Sequence, residues 1–223
     1  MKETNMATSS STAAEIEDVP ARNTVAVPLG DPAMIGVPTF LIGSLALALN
    51  LVGYVDQGTT GAPIAIIAFA TGIGQLIAAI WAASLAQNAV ASIFAIFSGF
   101  WISYAALVFG LVHGWYGLTA ATTIPTVKMF LLSWLILIII LTLATLRLPL
   151  AFTALFVLVD LALVFVLIAY SNLSKAAAAN SGDLRLGGIF AFGFILVGVY
   201  LFFGAASAAT GGKPLPLGRP VLK

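Results

Sequence analysis

Residues 125–170 read PTVKMFLLSWLILIIILTLATL-RLP-LAFTALFVLVDLALVFVLIAY. Two apolar runs of about twenty residues flank one short break, Arg147 to Pro149, and about twenty apolar residues is what an α-helix needs to cross a bilayer. Strict alternation of polar and apolar residues, the mark of a membrane strand, is missing. In lipid every backbone polar group must be bonded internally, so these runs are expected to be transmembrane helices.

The rest of the chain follows the same pattern. Of 223 residues, 61% are hydrophobic and 8% charged. A water-soluble domain carries about 25% charged residues, so lipid must be the solvent for most of this surface. Net charge is +1 and no basic cluster appears, which argues against a nucleic-acid partner. Cysteine is absent, so there is no disulfide framework, thiolate metal site or cysteine nucleophile. No Ser/His/Asp set, metal-binding histidine pair or P-loop appears, and the spans offer almost no polar groups to converge on a reaction centre. The chain reads as neither an enzyme nor a cofactor carrier. A seven-helix retinal protein needs a lysine in its last span, and the sixth span here has none.

Six spans are predicted: residues 33–54, 63–85, 89–112, 125–146, 150–170 and 186–208. The fold class is an all-α membrane bundle. The first span opens with Asp31-Pro32, a capping residue followed by a proline suited to a first helical turn. Residues 1–30 are polar, lack a basic stretch followed by an apolar core, and read as a disordered cytosolic tail rather than a signal peptide. Residues 31–210 form the membrane domain, and residues 211–223 read as a second cytosolic tail. With six spans both termini share one side. That side carries Lys2, Arg22, Arg147, Lys213, Arg219 and Lys223 against Lys128, Lys175 and Arg185 opposite, which places both termini in the cytosol of a multi-pass cell-membrane protein.

Two small-residue ridges suit close helix packing: Ala70, Gly74, Ala78 and Ala82 in span two, and Ala91, Ala95, Gly99 and Ser103 in span three. Phe94, Phe97, Trp101 and Tyr104 share one face of span three. That stripe is either core and lipid contact or the wall of a narrow apolar path. Asn50 and Gln75 each donate and accept, so each either touches a carboxylate solute or joins two helices. His113, at a span end, reads as a solvated interface residue. Asp160 is the acid placed deep inside a span. A carboxylate there is costly, by about 2.5 kcal/mol or more on insertion scales, so it should face protein or water. It is a candidate proton relay, or else a structural carboxyl bonded to a neighbouring span.

The run Asp31-Pro32-Ala33-Met34-Ile35-Gly36-Val37-Pro38-Thr39-Phe40 resembles the motif Asn-Pro-Ala-Pro-Leu-Gly-Leu, followed three residues later by phenylalanine, of the acetate uptake transporter family of the succinate–acetate permease type. The likeness continues in the family's order through residues 51–54, 72–78, 99–103, 200–204 and 216–218. It implies a six-helix protomer assembled as a homo-hexamer, with one path per protomer. The solute it implies is acetate, or succinate in some members, with proton coupling or a channel-like mechanism. It also implies a Phe, Tyr and Leu gate from spans one, three and five. Phe40 and Phe97 match the first two positions. The third falls near Val159, with Leu158 and Leu161 also open.

Some positions depart from the pattern. Asp31 replaces asparagine, Met34 replaces the second proline, Phe97 lacks the tyrosine hydroxyl, and Ala82 stands where many members carry glutamate. The expected mechanism offers a small carboxylate the free N–H groups and positive dipole end of span one. The competing readings are a passive channel for acetate or ammonia and a non-transporting assembly or sensory subunit.

Overall fold

A computed structural model describes residues 30–172 and 177–222, with side chains throughout except at 177–180. The tail expected over residues 1–30 lies outside the described residues but for Gly30. Among the described residues, six helices account for the membrane domain: α1 Ala33–Val52, α2 Ile66–Ser84, α3 Asn88–Val112, α4 Ala120–Ala144, α5 Leu150–Ser171 and α6 Ala177–Ala209. Each contains an 18-residue window of mean hydropathy 1.9 to 2.8. At 1.5 Å per residue, α1 alone is about 30 Å long, the thickness of a hydrocarbon core. The chain is a six-helix integral membrane protein.

The helices form a ring in sequence order. Each packs on its neighbours in the chain, α6 returns to α1, and the seam between α3 and α4 is the loosest. Aromatic rings bridge that seam: Phe100 and Trp134 meet edge-on at 5.5 Å. On the outside, Ile73, Ile77 and Ile80 of α2 and Leu132, Ile136 and Ile140 of α4 are exposed, as an apolar solvent allows. Gly36 lets α1 approach α3, because a Cβ there would fall inside the Phe94 ring. Gly53 ends α1 in the left-handed conformation, φ 86°, as a C-terminal glycine commonly does.

The boundaries depart from expectation in three places. Span four starts at Ala120 rather than Pro125: the Thr122 hydroxyl accepts from the Thr119 N–H at 2.8 Å and secures an earlier first turn, leaving Pro125 inside the helix. Span six starts at Ala177 rather than residue 186, so Asp183 and Arg185 belong to the helix and not to a loop. Span two is not a plain α-helix, since residues Ile66–Ile73 are wound as π-helix. The wider turn shifts the phase of the helix. Ala78 and Ala82 of the proposed ridge are buried and Gly74 half-buried, but Ala70 faces outward. Thr71 and Gly72 turn in instead, and the Gly72 carbonyl accepts from Ser98 of α3 at 2.8 Å.

Of the α3 ridge, Ala95 is exposed and Ala91 and Ser103 are half-buried, while Gly99 lies under the Trp134 ring of α4. After α6 the chain runs back along the bundle. The Tyr200 hydroxyl donates to the Pro216 carbonyl at 2.7 Å, and the Ala151 and Leu222 N–H groups reach the carbonyls of Leu217 and Leu146 at 3.0 and 2.9 Å. Residues 211–222, expected as a tail, lie against the ends of α4, α5 and α6.

Candidate functional site

Three cavities follow one another along α1. The first, of about 260 Å³, opens beside Asp31, Ala33 and Val37, is walled by Gln75, Phe94 and Phe152, and ends on Phe40, Phe97, Leu155 and Phe156. The second, of about 50 Å³, lies beyond Phe40 and Phe97 and is closed by Leu47, Trp101, Val159 and Phe194. The third, of about 70 Å³, shares Leu47, Leu51, Phe100 and Leu163 with the second and adds Asn50, Gln57, Thr60, Tyr104 and Tyr170. From Ala33 to Leu51 the axis of α1 advances about 27 Å at 1.5 Å per residue. One face of α1 therefore accompanies the whole file of cavities.

The mouth is built by the N-terminal motif. Asp31 Oδ1 accepts from the Ala33 N–H at 2.9 Å. The Met34 N–H reaches the Asp31 carbonyl at 3.0 Å, and those of Ile35 and Gly36 reach the Pro32 carbonyl at 3.1 and 2.9 Å. Free N–H groups were expected here to meet an anion, and the structure corrects this: Pro32 has no N–H, and the next four residues have theirs bonded. The negative charge of Asp31 is spent on capping the helix, which is favourable at the positive end of its dipole. Ala33 and Val37 line the cavity, Met34 and Ile35 are half-buried off it, and Gly36 is buried beneath Phe94.

The narrow point is a cluster of four phenylalanines. Phe40 and Phe97 meet edge-on, with centroids 5.1 Å apart and planes at 69°. Phe194 of α6 lies 5.5 Å from Phe40, and Phe156 of α5 lies 5.6 Å from Phe97. Edge-on and offset rings at such distances attract one another. Sequence reasoning paired Phe40 with Phe97 and missed Phe156 and Phe194. Among the three α5 residues held open for the third gate position, Val159 is buried and lines the second cavity. Leu158 instead packs against Gly193 of α6, and Leu161 is half-buried and lines none of the three cavities.

The polar candidates divide by position. Gln75, 1% exposed, gives its Nε2 proton to the Gly36 carbonyl at 3.4 Å, and its Oε1 has no protein partner. Trp101, 2% exposed, lies 6.3 Å from Phe40, and its Nε1 has no protein partner. Tyr104 stacks on Phe100 at 6.2 Å in the third cavity. Asn50 also lines that cavity, and its Nδ2 donates to the Asp56 and Thr59 carbonyls at 3.4 Å, holding the α1–α2 connection. Asp160 is set apart in the seam between α4 and α5. Its Oδ2 accepts from the Thr142 hydroxyl at 2.7 Å, and it lines none of the three cavities. His113 is exposed and stacks on Trp115 at 5.5 Å. Among the described lining residues of all three cavities, Asp31 is the one with a charge, and no Lys, Arg or His is present.

Known proteins share this architecture. A solved bacterial acetate channel, SatP, superposes with a TM-score of 0.71 over 85% of this chain and 99% of that one, at 21% identity, a likeness in fold. Acetate permease A of Emericella nidulans is 27% identical over 169 residues, 72% of this chain and 56% of the relative. The Meiotically up-regulated gene 86 protein of Schizosaccharomyces pombe is 26% identical over 72% of this chain and 53% of its own length. The chain thus spans about half the length of these two relatives. The Glyoxylate pathway regulator of Yarrowia lipolytica is 27% identical over 87% of this chain and 71% of its own. The profile of one family matches residues 15–212, and the chain belongs to that family, GPR1/FUN34/yaaH.

Proposed function

We propose that the chain moves acetate or a similarly small monocarboxylate across a cell membrane. The observation that carries this reading is the file of cavities along α1, pinched between Phe40 and Phe97. The cavities on either side of the rings are of a size for a solute of a few heavy atoms, and their apolar lining disfavours hydrated ions. A second cavity of about 50 Å³ leaves little room for the longer, doubly charged succinate. The names of two proteins it is similar to, an acetate permease and an acetate channel, point to the same solute. A non-transporting assembly or sensory subunit would have no use for the passage.

An ion in an apolar constriction loses its hydration at a large cost, so movement coupled to a proton is part of the proposal. Asp160 is one candidate carrier, and the solute itself is the other. Uncoupled passage, as in a channel for acetate or ammonia, is the competing mode. The working form is a homo-hexamer with one path per protomer in the plasma or inner membrane, with both termini in the cytosol. Counterflow of labelled acetate in liposomes tests the core of the reading. Protein-dependent exchange is expected, and exchange no faster than in protein-free liposomes refutes it.

A further inference from the structure

Among the described residues, several buried polar side-chain atoms have no protein partner, and two of them belong to residues that line the passage: Gln75 Oε1 and Trp101 Nε1. They are complementary. The first is an acceptor, because the same amide gives its Nε2 proton to the Gly36 carbonyl and leaves its oxygen unpaired. The second is a donor and nothing else. Gln75 lines the cavity on one side of the phenylalanine cluster and Trp101 the cavity on the other. Buried groups of this kind are kept where something satisfies them, since an unmade hydrogen bond in an apolar setting carries the full desolvation penalty.

Resting on the transport reading above, we propose that Gln75 and Trp101 are paired recognition stations for a neutral solute bearing both a donor and an acceptor. A protonated monocarboxylic acid has this character, and so does a primary amide of equal size. The passage therefore admits acetamide as well as acetic acid. A carboxylate anion would set its negative oxygens against Gln75 Oε1 and, at the mouth, against Asp31, with no cation in the lining to offset either. The acid presents O–H to Gln75 on one side of the rings and, once past them, C=O to the Trp101 N–H on the other. The proton crosses on the solute, and no bond to it breaks within the narrow segment.

The test uses the full chain in liposomes, with acetamide entry followed by stopped-flow light scattering and acetate current followed in planar bilayers. Expected are acetamide entry faster than in protein-free liposomes and no acetate current above the bare bilayer. Gln75→Met, which removes the acceptor together with the bond to Gly36, and Trp101→Phe, which removes the indole donor, should each slow acetamide entry by about two- to tenfold. Acetate exchange with acetamide entry at the protein-free rate overturns this inference and leaves the transport reading intact. So does an acetate current, or wild-type acetamide rates in both variants. If neither acetate nor acetamide crosses, the transport reading falls and takes this one with it. The acetamide and current measurements on the unaltered chain need no variant, so a substitution that impairs folding leaves them standing.

Discussion

Phe40→Ala should open the narrowest part of the passage. The ring is 6% exposed and touches Phe97, Phe194 and Trp101, which come from α3 and α6. Truncating a buried phenylalanine costs about 3–5 kcal/mol, and each ring pair accounts for about 0.5–1.5 kcal/mol of that beyond simple burial. Helices fixed by other contacts cannot collapse fully onto the gap, so the cavities of about 260 and 50 Å³ become one. A pocket separates solutes differing by one methylene by about 10- to 200-fold. The variant should therefore lose one to two orders of magnitude of its preference for acetate over propionate, ~1.4–2.8 kcal/mol at 1.4 kcal/mol per decade. Counterflow with each labelled acid in liposomes measures the ratio, and elution in detergent confirms folding. A folded variant that keeps the wild-type ratio shows that Phe40 does not set the aperture, and the reasoning fails.

Phe156→Ala should relax selectivity in the same assay, because its ring backs Phe97 at 5.6 Å; an unchanged ratio would leave it as mere filling. Asp160→Asn is expected to keep both acetate exchange and its response to a proton gradient, given its place in the α4–α5 seam. Exchange that survives while gradient-driven accumulation fails would make Asp160 the proton carrier instead. Gly36→Ala should destabilise the folded protein by about 1–3 kcal/mol through overpacking against Phe94, read as a lower melting temperature in detergent and recovered in large part by adding Phe94→Leu. Mass measurement in mild detergent should give a hexamer, and a monomer alone would count against the assembly.

The spans were legible because their apolar lengths match the bilayer, and α1, α3 and α5 fall within two residues of expectation at each end. The shared face of the α3 aromatic residues was legible as well, although the sequence left open whether it meets lipid or a path. Phe94, Phe97, Trp101 and Tyr104 recur at helical spacing beside smaller residues, and all four line a cavity. Phe156 and Phe194 escaped for a physical reason. Amphipathic contrast identifies a buried face only where the opposite face is polar, and in α5 and α6 both faces are apolar. The outward position of Ala70 was hidden because a π-wound segment shifts phase, and Gly72 within it reads equally as a small residue of an ordinary α-helix. Backbone bookkeeping at the mouth was also out of reach, since Asp31 reads equally as a repelling charge and as a cap until the 2.9 Å bond to Ala33 is seen.

The closing contact between α6 and α1 bears on how the protein is made. Gly188 sits against Leu51 and Val52, and Gly198 against Leu41, so α6, made after the other five, completes the wall begun by α1. Until α6 leaves the insertion machinery, the nascent bundle is a gutter, with one flank of α1 turned toward lipid. A chain interrupted before residue 177 would leave that flank unsealed, and the open flank would invite chaperones or membrane proteases. Quality control at this membrane would thus act on whether the ring had shut.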